Sequence, residues 1–533
     1  MTARARHLAT LLLLAAGGVS AQQPAAPASP LRKRTAYEDL QMFSQVLNQI
    51  RLNHPDSIDG HDLFMAAIEG MVHAADPHSY VVASTRLAPE KETAWRAGKL
   101  YPVPVDFAFV GGSPVVVGVT PGSAASKLDI LPGDELIAVD SLPVTAQSAM
   151  ELDIGLSGSK GSTVTLTLQR RRLDGSLVTL KRAVKRERVD ETTAVPVAVM
   201  LDRETGYVRI TTFANAKTAD DLHDALGRLE KLGMKRLVLD LRDNGGGIVD
   251  QAADAAGEFL PKGAVIYTAD YRKKDKDDRD TIKVKRSFWS REKRYPLVVM
   301  INSGTASAAE LMAGALQDHD RAIIVGQASF GKALLMRFFP MPDGSYIMMV
   351  SGHVKTPCGR VVQRQYRGVT RRDYFRLAGA ERDTASRPSC RTAAGRTVYG
   401  GGGVYPDVVF PEPEPQPLWL ARVWEDDLPL KWIGGYLMAA GAAYPSLDVL
   451  AGNPVLPPQA LTDFRAFAQS QGVTIPSEGD ARLERMLLRR IALAKWGDEG
   501  YFRLAAVLDP AVKDAGRQFD RAAAILAAAK EPE

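Results

Sequence analysis

The sequence predicts an α/β core with a β-rich domain inserted ahead of it and helical regions at both ends. Three observations carry that reading. Short apolar runs at 236–241, 297–301 and 322–325, sized for buried strands, alternate with helix-period segments at 219–231 and 306–317. Between residues 95 and 188, five β-like runs (103–110, 115–120, 135–140, 163–170 and 177–184) are separated by turn residues. The flanking stretches, 37–94 and 418–533, carry helical periodicity and few β signals.

Composition is that of an ordinary globular chain: 533 residues, 45% hydrophobic and 24% charged. A net charge of +5 gives nucleic-acid binding no support. Arg4, Arg6 and His7 precede an apolar run at 8–19, and Val19-Ser20-Ala21 supplies small residues at a cleavage site. Residues 1–21 therefore read as a secretory signal peptide cut after Ala21, with an exported, periplasmic product. No cysteine stands near the cut, so the signal is not of the lipoprotein type. No other run approaches about 18 apolar residues, so no membrane span is expected. The two cysteines, Cys358 and Cys390, are expected to pair in an oxidising compartment.

Residues 22–36 begin with QQPAAPASP and read as a linker. In 37–53, Leu40, Phe43, Val46, Leu47 and Ile50 follow helical spacing, and a second helix spans 60–74. That helix ends in Asp76-Pro77-His78-Ser79, where Asp76 and His78 read as local hydrogen-bonding residues of a proline turn. The β-rich domain occupies 95–190 and the α/β core 195–410. In the core, the strand at 236–241 runs into Asp240-Leu241-Arg242-Asp243-Asn244-Gly245-Gly246-Gly247. A glycine run between strand and helix exposes backbone N–H groups, which suits an oxyanion. Residues 411–417 (PEPEPQP) are a linker. The helical region from 418 to 533 offers no chemistry of its own.

The chemistry concentrates in 301–336. After the strand at 297–301 and a turn at 302–305, Ser307 begins a helix, and Lys332 follows the next strand in a Gly331-Lys332 turn. A serine there serves equally well as a helix cap. The lysine 25 residues on changes the balance, because a serine nucleophile needs a base and a buried, neutral lysine can be one. Residues 326–333 also match a phosphate loop, G-x-x-x-x-G-K-[ST], except that Ala333 lacks the Mg²⁺-binding hydroxyl. No G-x-S-x-G elbow occurs, and the eight histidines stand in plain settings.

Asn302-x-Gly304-Thr305-Ala306-Ser307-Ala308-Ala309-Glu310, followed by Arg321-Ala322-x-x-Val325-Gly326-x-x-Ser329-Phe330-Gly331-Lys332, resembles the active-site region of the carboxy-terminal processing peptidases, or tail-specific proteases. The turn at 76–80 and the segment Gly400 to Asp407 are similar to other parts of that family, so the resemblance covers about 37–410. It implies a crotonase/ClpP-like core, with Ser307 as nucleophile, Lys332 as base, and the amides of Gly246 and Ala308 as oxyanion hole. It implies no metal or cofactor. The segment Pro121 to Asp134 and the strand after it resemble a PDZ domain, whose peptide-binding loop falls on Leu100, Tyr101, Val103 and Val105. Pro102 and Pro104 stand where the family has glycines, which weakens capture of a peptide carboxylate.

A second departure lies at Met336, where the family places a glutamine that orients the lysine; a thioether is a poor acceptor. The alternative function is therefore a catalytically impaired relative acting as a PDZ-containing binding scaffold. The partners the resemblance implies are protein or peptide substrates and an adaptor protein, with homo-oligomer formation through the helical ends.

Overall fold

The computed structural model describes residues 34–189, 193–273, 275–276, 280–285, 291–378, 384–411 and 415–528. The expected signal peptide, most of the 22–36 linker and the middle of the 411–417 linker lie outside the described residues. The chain divides into two compact units, Met1–Ala67 and Ile68–Glu533.

The first unit contains helix Ala36–Asn53 and the start of helix Gly60–Ala75. A capping box begins it: the Thr35 hydroxyl accepts from the Glu38 N–H at 3.3 Å, and the Glu38 carboxylate accepts from the Thr35 N–H at 2.9 Å. Phe43 meets Phe64 at 5.7 Å, but helix Ala36–Asn53 has no buried residue, and Tyr37, Leu40, Val46 and Leu52 are exposed.

In the second unit the β-rich domain is a sheet in the order Val105–Val110, Ser113–Val119, Glu135–Val139, Thr163–Arg171, Leu177–Lys185. Strand Val105–Val110 forms one edge and Leu177–Lys185 the other. Alternate residues of these strands, among them Val116, Leu136, Val164, Leu166, Leu168 and Val184, meet helix Ala149–Leu156 in one core.

The peptidase-like core has the expected α/β, crotonase/ClpP-like architecture. Its sheet runs Val408–Val409, Ile323–Gly326, Leu297–Ile301, Arg236–Asp240, Thr205–Arg209, Val197–Met200, with every neighbouring pair parallel except the last. Central parallel strands are covered on both faces, which is why they read as unbroken apolar runs. Leu237, Leu239, Val299, Ile301 and Ile324 face helices Thr218–Lys231, Val249–Gly257 and Ala308–Asp318. The alternate residues Val238, Val298, Met300, Ile323 and Val325 meet Ala506, Val512, Ala515 and Phe519. The C-terminal helical region thus supplies the second cover of the core sheet.

That region also packs on the β-rich domain through glycines. A Cβ on Gly133 would stand 2.3 Å from Leu430 O, and one on Gly435 would stand 2.6 Å from Arg171 O. A second, antiparallel sheet places strand Tyr80–Val82 beside Tyr346–Lys355, which also pairs with Leu334–Pro340. This pairing draws the 76–79 turn towards the core.

Candidate functional site

Two loops at the strand ends form the floor of the site. Asn302 Oδ1 accepts from the N–H groups of Asp243 at 2.9 Å and Gly304 at 3.0 Å, and its Nδ2 donates to Asp243 at 2.8 Å. The Thr305 hydroxyl donates to Leu241 O at 2.9 Å. The glycine-run loop and the serine loop are therefore one stitched unit. At their junction, a side chain on Gly246 (φ 93°) would lie 2.8 Å from Ala306 O, Ala308 N and Ser307 Cβ, so this position requires glycine.

Ser307 precedes helix Ala308–Asp318 at φ 57°, ψ −120°. A residue with a side chain holds such a conformation only at a cost of about 1–3 kcal/mol, which the surrounding contacts must offset. The contact that does so is Glu310, three residues on. Its carboxylate is fully buried and accepts four hydrogen bonds: from the N–H of Ser307 at 2.8 Å, the Ser329 hydroxyl at 2.5 Å, the N–H of Gly331 at 2.7 Å and the N–H of Lys332 at 2.8 Å. Burial pushes this carboxyl up to about 7, against the pull of the four donors. The next amide, Ala333 N–H, donates to Gln363 Oε1 at 2.8 Å. Three successive N–H groups of the Gly331-Lys332 turn are thus consumed by side chains. The phosphate-loop alternative fails here, because a phosphate cradle needs those groups open.

Lys332 is half-buried, and burial lowers its pKa, with the charges of Glu310 and Asp76 opposing. Asp76 behaves as the turn residue expected, accepting from the N–H of His78 at 2.8 Å and of Ser79 at 2.7 Å. His78 needs correction. It is not confined to its turn: its Nε2 lies 2.8 Å from the Tyr374 hydroxyl, and its ring meets Phe330 at 5.9 Å. Burial, followed by the charge of Lys332, lowers its pKa to about 4.

Of the two expected oxyanion donors, one is engaged elsewhere. Gly246 does lie against Ser307, but its N–H already donates to Asn244 Oδ1 at 2.9 Å. The N–H of Ala308 has no hydrogen-bond partner among the described residues. Met336 sits half-buried in strand Leu334–Pro340, past a register shift that follows Leu335.

Beneath the loops, Asp240 is buried between Arg209 at 3.0 Å and Arg242 at 2.7 Å, and Arg242 reaches Asp509 of the C-terminal region at 2.6 Å. Burial alone would raise Asp240; the two guanidinium groups hold it well below the ordinary carboxylate range. Cys358 and Cys390 are joined by a disulfide, and Gln363 and Tyr374 lie in the loop it closes. Asp318 comes near both sulfurs, but bonded sulfurs leave no thiolates for a metal.

The expected peptide loop differs from its prediction. Val103 and Val105 are buried in the β-rich core, so their side chains are structural. Tyr101 N–H is spent on Gly158 O at 2.8 Å, Arg188 Nη2 donates to Leu100 O at 3.0 Å, and the Arg188 guanidinium covers the Tyr101 ring at 4.6 Å.

Glu310, Gln363 and Tyr374 were not singled out by sequence reasoning. Glu310 was within reach, since Ser307-x-x-Glu310 has capping-box spacing. Gln363 and Tyr374 carry no local signal, because only the tertiary fold brings them to Lys332.

Comparison with known proteins agrees with this architecture. Residues 204–372 match the model of peptidase family S41, and residues 93–185 match the PDZ domain. The chain is 28% identical to a carboxy-terminal-processing protease of Bartonella bacilliformis, over 62% of this chain and 74% of that protein. It is 35% identical to a carboxyl-terminal-processing protease of Picosynechococcus, over 44% of this chain and 55% of that protein. A solved photosystem II D1 C-terminal processing protease is 25% identical, covering 75% of this chain and 92% of that one, with a TM-score of 0.34. The chain thus matches peptidase family S41 over residues 204–372 and the PDZ domain over 93–185, and it is similar to proteases of the carboxy-terminal processing type.

Proposed function

We propose that the protein is an exported serine endopeptidase that cleaves protein substrates with Ser307 as nucleophile and Lys332 as general base. The observation that carries this reading is the shared carboxylate: Glu310 Oε2 accepts the N–H groups of both Ser307 and Lys332, each at 2.8 Å. One buried group thus fixes the two backbones relative to each other, and orientation of that kind is a large part of catalysis. Ser307 Oγ attacks the peptide carbonyl. Neutral Lys332, favoured by its burial, takes the hydroxyl proton and returns it to the leaving amine. The N–H of Ala308 faces no competitor as an oxyanion donor, and Gly246 joins it only by giving up Asn244.

Substrate reaches the site with help from the PDZ domain, whose edge strand Val105–Val110 can accept an extended peptide as an added strand. With Tyr101 N–H spent and prolines at 102 and 104, that domain binds peptide without strong dependence on a free carboxylate. The Cys358–Cys390 disulfide fits an oxidising, periplasmic location. No helix among the described residues is long and apolar enough to cross a membrane. The helical ends offer a route to a homo-oligomer, and an adaptor protein would deliver substrates to the PDZ domain.

Purified protein, Ser307→Ala and Lys332→Ala should be compared on unfolded casein. Cleavage by the wild type alone, with all three proteins folded, is expected. Cleavage by Ser307→Ala would defeat the assignment, and a folded but inert wild type would favour the binding-scaffold reading.

A further inference from the structure

The PDZ sheet and the C-terminal helices do not close on each other everywhere. Between them opens a cleft of about 1270 Å³, walled in part by Val119, Ile130, Leu437, Met438 and Trp496. Two features bring acid to it. On edge strand Val105–Val110, Val105 and Phe107 turn into the PDZ core, so Asp106 stands on the opposite face and lines the cleft. The long helix Asp480–Leu508 breaks at Gly497 (φ 62°, ψ −152°), and the two residues after the break, Asp498 and Glu499, line the cleft as well. All three carboxylates are exposed, and none has a hydrogen bond or ion pair among the described residues. The other charges there are already spent. Asp129 pairs with Arg170 at 3.0 Å and Arg182 at 2.9 Å, while the Lys495 amine donates to Gly441 O at 2.7 Å and Tyr444 O at 2.6 Å.

Although open to the cleft, both aspartates lose enough water to its walls to stand above the ordinary carboxyl range, and the charge of Asp498 raises Asp106 further. Unpaired negative charge beside apolar walls suits a cation carried on an apolar stem. A chelated metal ion fits less well: among the described residues, ligand atoms converge in threes only at Asp318 and the two cysteines. The edge strand supplies the rest of the site. No further strand pairs with the outer side of Val105–Val110, and a segment adding there sets one residue directly opposite Asp106, on the same face and with Cβ about 4.5–5.5 Å away. Gly118, the partner of Asp106 on the next strand, has no side chain to crowd that face.

We propose that this cleft is a specificity site for a basic residue: an extended substrate segment added along Val105–Val110 places a lysine or arginine opposite Asp106, with its cationic head between Asp106 and Asp498. The inference rests on the reading of that strand as the peptide-accepting edge. It gives this PDZ domain a means of choosing substrates where capture of a terminal carboxylate is weak.

The test uses the full chain carrying Ser307→Ala, so that bound peptide is not cut, and short fluorescent peptides that differ only in a central lysine, norleucine or glutamate. At low salt the lysine peptide should bind about tenfold tighter than the norleucine peptide, about threefold for each aspartate, and high salt should shrink the gap. Asp106→Asn and Asp498→Asn should each reduce the gap to about threefold. Asp106→Lys should turn the preference towards the glutamate peptide. Equal affinity for lysine and norleucine overturns the proposal, as does a lysine preference that both asparagine variants leave intact. N-methylating alternate amides of the lysine peptide separates the two readings, because an added strand needs those donors. Binding that ignores N-methylation, or no binding of any peptide, defeats the edge-strand reading and the proposal together. Binding that N-methylation abolishes but lysine does not strengthen defeats the proposal alone.

Discussion

Glu310 accepts the peptide N–H of Lys332 at 2.8 Å on Oε2, the oxygen that also takes the N–H of Ser307. Glu310→Gln keeps the shape but turns one of two acceptor oxygens into a donor, setting an NH₂ against two N–H groups. The expected cost is about 1–3 kcal/mol of stability for the unpaired buried donors. A turnover loss of about 100-fold should accompany it as the serine and lysine turns separate. Urea unfolding and casein cleavage measure the two. Wild-type values in both would mean that the bridge is dispensable.

Activity should rise with pH as Lys332 loses its proton, with a midpoint below that of an ordinary lysine because burial lowers it. Asp76 opposes that lowering. Asp76→Asn removes the charge and keeps an acceptor for the Ser79 N–H, so the rising limb should move to lower pH. A limb that moves upward, or stays fixed, would show that the titrating group is not Lys332.

Arg242→Ala strips Asp240 of one of its two guanidinium partners and frees Asp509. Breaking a buried pair in this way should cost about 3–5 kcal/mol, read from the denaturation midpoint. The sign with pH follows from the depressed Asp240. Its contribution is present at neutral pH and lost as pH falls from the ordinary carboxylate range through the lowered folded value. The gap between wild type and Arg242→Ala should therefore narrow in acid.

Met336→Gln should change turnover by no more than about 0.5 kcal/mol in barrier height, the range of a substitution outside any network. The lysine turn is already held by Glu310 and Gln363. A large gain in rate would show that the lysine lacks orientation in the wild type.

The parts of the site written in contiguous chain were legible. Strand Leu297–Ile301, the helix after Ser307 and the Gly-Lys turn each announce themselves through apolar runs and local spacing. So did the strands of the PDZ domain, to within a residue or two at most ends. Hydrogen-bond state was not legible: nothing in Asn244-Gly245-Gly246 says that the asparagine side chain closes the Gly246 N–H. Nor was partnership across distance, since His78 and Tyr374 are 296 residues apart. The region after 418 read correctly as helical, yet its periodicity could not tell which sheet face Phe519 would cover.

Replacing Cys358 and Cys390 together by alanine opens a loop with a sequence separation of 32. Loop-closure entropy puts the loss at about 4 kcal/mol. Because Gln363 and Tyr374 sit inside that loop, turnover should fall more steeply on warming than the thermal unfolding curve alone accounts for. Parallel loss of activity and fold would argue that the loop supports Lys332 only through global stability.

The glycine seam between the PDZ domain and the C-terminal helices bears on how freely domains can be exchanged. At Gly133 and Gly435 the two backbones lie closer than a methyl group allows. PDZ domains are commonly treated as portable modules, but this one is keyed to its neighbour. A transplanted PDZ domain with any side chain at the equivalent of Gly133 would be wedged off Leu430, and the helices that roof the core sheet through Phe519 would be pushed with it. Chimeras of this protein should therefore be cut so that the PDZ domain and residues 418–528 travel together.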